Sequence, residues 1–482
     1  MNLAEYAQYD GLGLAELVGK GQISPKELAE TALKAIEAVN PSINAVVETY
    51  ADRIAGLDEA TLGSGPFRGV PFLIKDVFGH EKGRRTEFGS RLCKGMVAET
   101  DSHVAELFRA SGVNILGRSA APEFSMSATT ESALHGNTSN PWKQGYSAGG
   151  STGGGMAAVV AGMVPLAHGS DIGGSIRIPA SWCGGVGLKP SRGRVSSGPL
   201  FDEGGFGMTS NLVQARTVRD VAAMLDCLAV PQVGDPFLIP KPDRAYAELA
   251  GEAPPQLRVG IVLAELVGVA VDREVAAAVR AVGKTLAGLG HLVEEATVDM
   301  GGAEALRHWN EVVFFAFDAR LDAFAKRTGR KPGPDTLEPA ILSLYESAKA
   351  ITPARFMAAT TALNAARRRL ARFFSKHDIW LSPTTARVAE TWGKYNLGRT
   401  SSPADGVALP RDPIQYTVPH NIMGTPAMSL PLGMHSTGVP IGVQLAGRPA
   451  AEHLVLQLAK ALEEAMPWRD RVPPLHVSTL AA

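Results

Sequence analysis

Residues 169–179 read Gly-Ser-Asp-Ile-Gly-Gly-Ser-Ile-Arg-Ile-Pro, and this glycine-rich stretch is the most informative part of the chain. Two glycines before Ser175 let backbone N–H groups converge without obstruction from side chains. Such a turn can stabilise an oxyanion beside a serine hydroxyl, with about 3–4 kcal/mol from each well-aimed donor. A tight turn in which Ser175 merely caps the next helix fits the same residues, and taken alone they favour it.

A second glycine cluster precedes this stretch, and 13 of the 52 glycines fall within 43 consecutive residues. Residues 149–154 read Gly-Gly-Ser-Thr-Gly-Gly, which fits the Gly-x-Ser-x-Gly turn of α/β hydrolases. That turn requires a preceding strand and a partner histidine later in the chain. Ser147 and Ala148 make a poor strand, and His420 and His453 have no other signal around them. The residues therefore disfavour an α/β hydrolase.

A lysine follows the first predicted buried strand. Residues 70–74 read Val-Pro-Phe-Leu-Ile, and Lys75 lies at the carboxyl end of this run. Residues 164–167 predict another strand, followed by a turn from 169 to 174. Six prolines between residues 231 and 255 indicate a surface connector. Strand–helix alternation on both sides of it predicts one extended α/β sheet or two α/β lobes.

Composition excludes several classes of protein. A hydrophobic content of 45% and a charged content of 20% fit a globular chain and not a disordered one. The net charge of −1 shows no excess of basic residues that would indicate binding to nucleic acid or to an anionic membrane. Three scattered cysteines, no signal peptide in residues 1–20 and no 18-residue apolar run predict a cytoplasmic protein without a membrane partner.

The sequence predicts no cofactor and no metal. It contains neither the phosphate-binding loop Gly-x-x-x-x-Gly-Lys-Ser/Thr nor the dinucleotide fingerprint Gly-x-Gly-x-x-Gly. The 11 histidines are never closer than the 15 residues between His420 and His435, so no pair shares one helical turn. The sequence therefore indicates neither a nucleotide-binding loop nor a histidine pair for a metal.

Three clusters in this order resemble the amidase signature family: Ile-Lys-Asp at 74–76, the glycines around Ser151, and residues 171–180. The match is strong over about 68–226, with weaker similarity along nearly the whole chain. The resemblance implies a fold of the α/β class, with one large domain over residues 1–482.

That domain is expected to hold a mixed central β-sheet sandwiched by helices. Within it, the resemblance implies a signature core at about 68–226 and a connector at about 231–256. A variable half at about 257–482 is expected to form the substrate pocket.

The resemblance also implies a catalytic triad, in which Ser175 is the nucleophile, Ser151 the bridging serine and Lys75 the base. In the family, a cis peptide bond precedes the bridging serine. The expected oxyanion hole consists of the backbone N–H groups of four residues, namely Ile172, Gly173, Gly174 and Ser175. The implied reaction is hydrolysis of an amide C–N bond through an acyl-enzyme, without cofactor or metal.

This chemistry requires a neutral lysine. A serine hydroxyl needs a base, and at an ordinary pKa of about 10.4 almost all lysine is charged at pH 7. Lowering that pKa to about 7 requires burial and neighbour effects of roughly 4.6 kcal/mol. A lysine at the end of a buried strand can meet this requirement, provided that Asp76 points elsewhere.

Three further polar residues are expected to support the triad. Thr152 stands where the family commonly has serine, and its hydroxyl is expected to keep a supporting hydrogen bond. Asp171 and Arg177 flank the serine turn and could pair behind it. A solvated ion pair at the surface is equally compatible with the sequence.

The predicted substrate pocket includes Ser125, Met126, Asn310 and Phe314. Ser125 replaces a glycine that is usual in the family and is expected to alter the pocket wall. Trp309 and Phe315 belong to the same segment as Asn310 and Phe314, and ordinary helix core is an alternative for all four.

Several substrates remain open. Residues 333–338 and 365–374 resemble the branch of the family that holds cyclic nylon-dimer hydrolases. A small or non-natural amide is expected, and a carbamate or a cyclic amide oligomer is the alternative. The chain could also be an amidotransferase A-type subunit of a tRNA-dependent complex, or a non-catalytic binding protein. As a stand-alone enzyme it is expected to be a monomer or homodimer.

Overall fold

The computed structural model describes residues 1–200, 205–398 and 410–480. Its strands are β1 (Val46–Thr49), β2 (Pro71–Lys75), β3 (Asn114–Ser119), β4 (Glu131–Ser132), β5 (Gly136–Asn137), β6 (Ser139–Asn140), β7 (Lys143–Ser147), β8 (Leu166–Asp171), β9 (Val186–Lys189), β10 (Ser210–Ala215), β11 (Arg258–Ile261), β12 (Leu292–Glu295), β13 (Ile379–Pro383), β14 (Ala427–Met434) and β15 (Pro440–Ala446).

The helices are α1 (Leu3–Tyr6), α2 (Gly11–Gly19), α3 (Pro25–Ile43), α4 (Ala51–Ala55), α5 (His103–Ala110), α6 (Gly153–Val160), α7 (Arg177–Cys183), α8 (Val218–Leu228), α9 (Tyr246–Ala250), α10 (Arg273–Gly288), α11 (Gly302–Val313), α12 (Phe317–Thr328), α13 (Pro339–Ala348), α14 (Pro353–Ala371), α15 (Arg411–Ile414), α16 (Val418–Met423), α17 (Glu452–Ala465) and α18 (Val477–Leu480). Short 3-10 turns lie at Glu59–Thr61, Arg91–Cys93, Glu123–Ser125 and Arg372–Ser375.

Eleven of the described strands form one mixed sheet in the order β1-β3-β2-β8-β10-β9-β14-β15-β13-β11-β12. Strands from both sides of the predicted connector meet where β9 pairs with β14, with Lys189 opposite Ala427. One sheet therefore runs through the whole chain, which confirms the single α/β domain and excludes two separate lobes. The finer division into core, connector and variable half stays a prediction, and helix α9 lies inside the predicted connector.

The sheet brings two functional stretches to the same edge. Strands β2 and β8 are parallel neighbours, paired at Phe72–Leu166 and Leu73–Ala167, so their carboxyl ends point the same way. Every residue of both strands is buried, as expected for parallel strands covered on both faces. Lys75 at the end of β2 therefore lies beside the glycine-rich stretch that follows β8.

The predicted turn after β8 begins later than expected. Strand β8 continues to Asp171, because residues 167–171 pair with β10 on their other side. The turn is thus confined to the residues between Asp171 and the start of α7 at Arg177. In the described part of the chain, none of the helices combines the length and apolar character needed to cross a membrane.

Candidate active site

Lys75 is the centre of a buried group of hydroxyls. Its side chain is 1% exposed, and Nζ lies 2.8 Å from Ser151 Oγ and 2.8 Å from Ser170 Oγ. The contact with Ser151 unites two residues of the predicted triad. Ser170, on the adjacent strand β8, was not predicted.

Burial lowers the pKa of Lys75 to about 7, against the opposing charges of Asp171 and Asp76. Asp76 turns away from the lysine, as required. Its carboxylate pairs with Arg118 and accepts hydrogen bonds from the Glu87 and Gly89 N–H groups at 2.8 and 2.9 Å. Desolvation is consequently the largest effect on the pKa of Lys75, because no described carboxylate forms an ion pair with this lysine.

Ser151 follows a cis peptide bond from Gly150, as the family resemblance implied. Gly150 is required by close packing, since a side-chain carbon there would lie 2.6 Å from Ser127 O and from Thr129 N. Thr152 supports the same region, because its Oγ1 donates to Ser170 O at 3.3 Å. This bond links the Ser151 segment to strand β8 behind Lys75.

Ser175 lies in the turn after β8 and is 9% exposed. It lines a pocket together with Gly150, Ile172 and Gly173. The residue directly before Ser151 and the turn that precedes Ser175 therefore border the same cavity. Ser175 and the neighbour of Ser151 thus lie at one cavity, and the triad itself stays a prediction.

The Asp171 carboxylate organises the turn. It accepts hydrogen bonds from the Gly174 N–H at 2.9 Å and from the Ile176 N–H at 3.2 Å. Gly174 has a φ of +134°, a conformation that glycine adopts with least strain. On the other side of the turn, Thr417 Oγ1 donates to Gly173 O at 2.6 Å.

These contacts involve one group of the predicted oxyanion hole, which stays a prediction. The Gly174 N–H is engaged in this arrangement, because the Asp171 carboxylate accepts its hydrogen bond. Within the described residues, the N–H groups of Ile172, Gly173 and Ser175 donate to no acceptor. The three remaining groups of the prediction are therefore the available donors.

Asp171 and Arg177 form a buried bidentate ion pair, with both nitrogen–oxygen distances at 2.9 Å and both side chains 0% exposed. The solvated pair considered from the sequence is therefore wrong. Burial raises the pKa of Asp171, but the Arg177 guanidinium outweighs it and holds that pKa at about 2. Asp171 thus stays charged and keeps the turn in place throughout the neutral range.

The rest of this network comes from distant parts of the chain and was not predicted. Arg177 also donates to Thr417 O at 2.9 Å, to Gln444 Oε1 at 2.8 Å and to Asn421 Oδ1 at 2.7 Å. Asn421 Nδ2 in turn donates to Asp171 Oδ1 at 2.9 Å. The serine turn is therefore held by residues more than 200 positions away.

The pocket beside Ser175 contains three of the four residues predicted for it, namely Ser125, Met126 and Phe314. From helix α11, Trp309 and Val313 line it as well. Asn310 is not among the lining residues, so its role stays a prediction. Trp309 and Phe314 are each 1% exposed, so they are core residues and pocket residues at once.

The remaining lining residues are small or apolar: Ser127, Ala128, Ile178, Pro410 and Ile414. Phe315 packs away from this set, stacked on Phe356 with ring centroids 4.5 Å apart. Over residues 1–200, 205–398 and 410–480, no group of three or more histidine, cysteine or acidic side chains could hold a metal ion.

Comparison with known proteins agrees with this geometry. The sequence model of the Amidase family matches residues 27–456. The 6-aminohexanoate-cyclic-dimer hydrolase of Paenarthrobacter ureafaciens is 38% identical over 483 residues, covering 97% of this chain and 96% of its own. A solved structure of 6-aminohexanoate cyclic dimer hydrolase superimposes with a TM-score of 0.92 at 37% identity, covering 97% of this chain and 99% of that one.

A functionally different relative is also similar. The A-type subunit of the glutamyl-tRNA(Gln) amidotransferase from Synechococcus sp. (strain CC9311) is 33% identical over 488 residues, covering 94% of this chain and 96% of its own. The family match spans most of the chain, and each similarity extends over nearly its full length. The chain therefore belongs to the amidase signature family and is a hydrolase that acts on amides.

Proposed function

We propose that the chain hydrolyses amides through an acyl-enzyme on Ser175, with Ser151 as proton relay and Lys75 as base. The observation that carries this proposal is the 2.8 Å contact between Lys75 Nζ and Ser151 Oγ. Since burial lowers the pKa of Lys75 to about 7, roughly half of the lysine is neutral at pH 7. A neutral amine at this distance can accept the Ser151 proton.

In the first half of the cycle, neutral Lys75 accepts the hydroxyl proton of Ser151 while Ser151 takes the proton of Ser175. The Ser175 oxygen forms a bond to the amide carbon, and the carbonyl oxygen becomes an oxyanion. The free N–H groups of Ile172, Gly173 and Ser175 are the donors for that charge. Preorganised donors of this kind contribute about 3–4 kcal/mol each to the transition state.

The tetrahedral intermediate then collapses. The C–N bond breaks, the leaving nitrogen takes a proton from Ser151, and Ser151 recovers one from charged Lys75. This leaves an acyl-enzyme on Ser175 and a neutral lysine. A water molecule repeats the sequence through the same relay, and the carboxylic acid is released as Ser175 regains its proton.

The substrate favoured by the pocket is a small, uncharged amide with apolar neighbours. The described lining contains no charged side chain, which supports neutral amides over substrates with an ionised group at this position. A cyclic amide oligomer is the second candidate, because two relatives that are 38% identical carry the name 6-aminohexanoate-cyclic-dimer hydrolase. A carbamate fits the same acyl transfer.

The test uses purified protein and a panel of primary amides, anilides, carbamates and lactam oligomers. We expect turnover of at least one amide class, its loss in Ser175→Ala, and little activity in a folded Lys75→Ala variant. Lys189→Ala is the matched control, since Lys189 is equally buried and its pKa is also lowered to about 7 by burial. Near-normal turnover in Lys75→Ala, or fast cleavage of simple esters with every amide inert, contradicts the proposal.

We further propose a stand-alone enzyme rather than an amidotransferase component, working as a monomer or homodimer in the cytoplasm. Free thiols at Cys93, Cys183 and Cys227 support a reducing compartment. Light scattering of the purified chain measures its mass. Co-purification with a second protein chain, together with glutaminase activity that ATP and tRNA stimulate, overturns this part of the proposal.

A further inference from the structure

A buried threonine hydroxyl holds the backbone on both sides of Ser151. Thr130 Oγ1 donates to Gly149 O at 2.8 Å and accepts from the Gly153 N–H at 3.0 Å. A hydroxyl can donate one hydrogen bond and also accept, and here both capacities are used on one segment. The bonded residues lie two positions before and two positions after Ser151, and Thr130 is 1% exposed. The hydroxyl thus bridges residues 149–153, the relay segment, with Ser151 at its centre.

The start of helix α6 requires an acceptor of this kind. Its first residue is Gly153, and the N–H groups in the first turn of a helix have no partner within the helix. Thr152 precedes the helix, but its hydroxyl donates to Ser170 O and makes no capping hydrogen bond in the described structure. Thr130 Oγ1 therefore supplies an acceptor that the neighbouring sequence does not.

Close packing keeps Thr130 in register with the relay segment. A side-chain carbon at Gly153 would lie 2.4 Å from Thr130 Oγ1. One at Gly150 would lie 2.6 Å from Thr129 N. Thr130 is itself fixed by the Thr138 N–H, which donates to its carbonyl oxygen at 2.9 Å. The threonine and the relay segment are therefore in direct contact, and a shift of one displaces the other.

A second route reaches the same segment on one side only. Thr129 Oγ1 and Ser147 Oγ lie 2.6 Å apart, and Ser147 Oγ accepts from the Gly149 N–H at 3.0 Å. This route fixes the backbone before Ser151. Thr130 differs because its single hydroxyl ties the residues before Ser151 to those after it.

We propose that Thr130 is a positioning residue that holds Ser151 Oγ within hydrogen-bond distance of Lys75 Nζ. It acts through the backbone on either side of Ser151, and it is not among the described residues that line the Ser175 pocket. Proton transfer depends on the 2.8 Å distance between Ser151 Oγ and Lys75 Nζ, and a misplacement of about 1 Å can cost about 10²-fold in rate. The inference rests on the proposed function, in which Ser151 relays the proton.

The test measures kcat and KM with the best amide of the panel, and the rate at which a fluorophosphonate labels Ser175. Thr130→Val and Thr130→Ala remove the hydroxyl by substitutions of different size, so the result does not depend on one variant folding. We expect both to lower kcat and the labelling rate by about 10–100-fold. KM should stay near the wild-type value, because Thr130 does not line the pocket. Thr130→Ser keeps the hydroxyl and should restore kcat.

Thr138→Val is the matched control. Thr138 is 0% exposed, and its Oγ1 also donates to a backbone oxygen at 2.8 Å, that of Asn44. We expect it to lower the urea midpoint about as much as Thr130→Val does and to keep the wild-type kcat. An equal loss of kcat in Thr138→Val and Thr130→Val overturns the positioning role, because the loss then follows from removing any buried hydroxyl in this region.

A Ser151→Ala background separates positioning from a general structural effect. If Thr130 acts through Ser151, adding Thr130→Val to Ser151→Ala should not lower the residual labelling rate further. A further fall in the double variant, or a wild-type kcat in folded Thr130→Val or Thr130→Ala, overturns the inference. Either result leaves the proposed function standing while Ser175 is labelled and Lys75→Ala is inactive. Full activity in Ser151→Ala instead overturns the relay in the proposed function.

Discussion

Replacing Lys75 with methionine separates the catalytic value of this lysine from its effect on stability. The side chain is 1% exposed, and burial lowers its pKa from an ordinary 10.5 to about 7. Between these two values the unfolded chain binds a proton that the folded chain does not, so stability rises with pH across this window. The lysine is therefore a destabilising residue at neutral pH.

The magnitude follows from the same two values. A difference of 10.5 − 7 pH units, at 1.36 kcal/mol per unit, destabilises the fold by about 5 kcal/mol at pH 7 and below. Methionine removes this penalty, but it leaves the hydroxyls of Ser151 and Ser170 without their shared partner, at about 1 kcal/mol each. We expect Lys75→Met to be more stable than the wild type by about 2–3 kcal/mol at pH 7.

Urea unfolding of both proteins at pH 7, 8, 9 and 10 measures this difference. The stability advantage of Lys75→Met should shrink by about 1.4 kcal/mol per pH unit, vanish near pH 9 and reverse by pH 10, because the wild-type penalty there falls below the cost of the two unpartnered hydroxyls. Other titrating groups, Lys189 included, are common to both proteins and cancel. Activity should fall by about 10²–10⁴-fold, the usual contribution of a general base. A difference in stability that does not change with pH refutes a lowered pKa at Lys75.

Three shorter predictions concern the same site. With a neutral anilide, kcat/KM should rise as pH increases through about 7 and then level off, because Lys75 acts in its neutral form. Lys189→Met should keep this dependence of kcat/KM on pH. A kcat/KM that does not change with pH contradicts the role of Lys75 as a base. Ser170→Ala should lower kcat about tenfold, because it removes one hydrogen-bond partner of the Lys75 amine. Ser170→Thr keeps the hydroxyl and should retain the wild-type kcat. Full activity in Ser170→Ala shows that the contact between Ser170 and Lys75 does not position the lysine. Gly150→Ala should lower the free energy of unfolding in urea by at least about 1–3 kcal/mol, since its Cβ would lie 2.6 Å from backbone atoms of Ser127 and Thr129. Gly288→Ala is the control and should be neutral or stabilising, because its Cβ would have no neighbouring atom within 4 Å.

The candidate triad was predicted through the family resemblance, and that resemblance rests on short local patterns. Lys75 ends an apolar run, and Ser151 and Ser175 lie among glycines, so their order along the chain was informative without any knowledge of distances. The contact between Lys75 and Ser170 could not be foreseen in this way. Glycine and aspartate are weak strand formers, and the sequence predicted a strand that stopped at Ala167 instead of Asp171.

The support of the serine turn depends on tertiary structure even more strongly. Thr417, Asn421 and Gln444 reach Arg177 across 240 to 267 residues of sequence, and no periodicity marks them as its partners. The hydrogen bond from the Gly174 N–H to Asp171 joins residues that are close in sequence. It nevertheless depends on the backbone φ of the turn, which residue types alone do not determine. Sequence thus supplied the candidate reacting groups, while packing determined which of their neighbours are available.

The central claim is that Ser175 carries the acyl group, and a fluorophosphonate probe followed by peptide mass spectrometry tests it most directly. The probe reacts with an activated serine hydroxyl. We expect one adduct, on the peptide that contains Ser175, much slower labelling in Lys75→Met and none in Ser175→Ala. An adduct on Ser151 in the wild type, or undiminished labelling of Ser175→Ala, contradicts the assignment of Ser175 as the nucleophile.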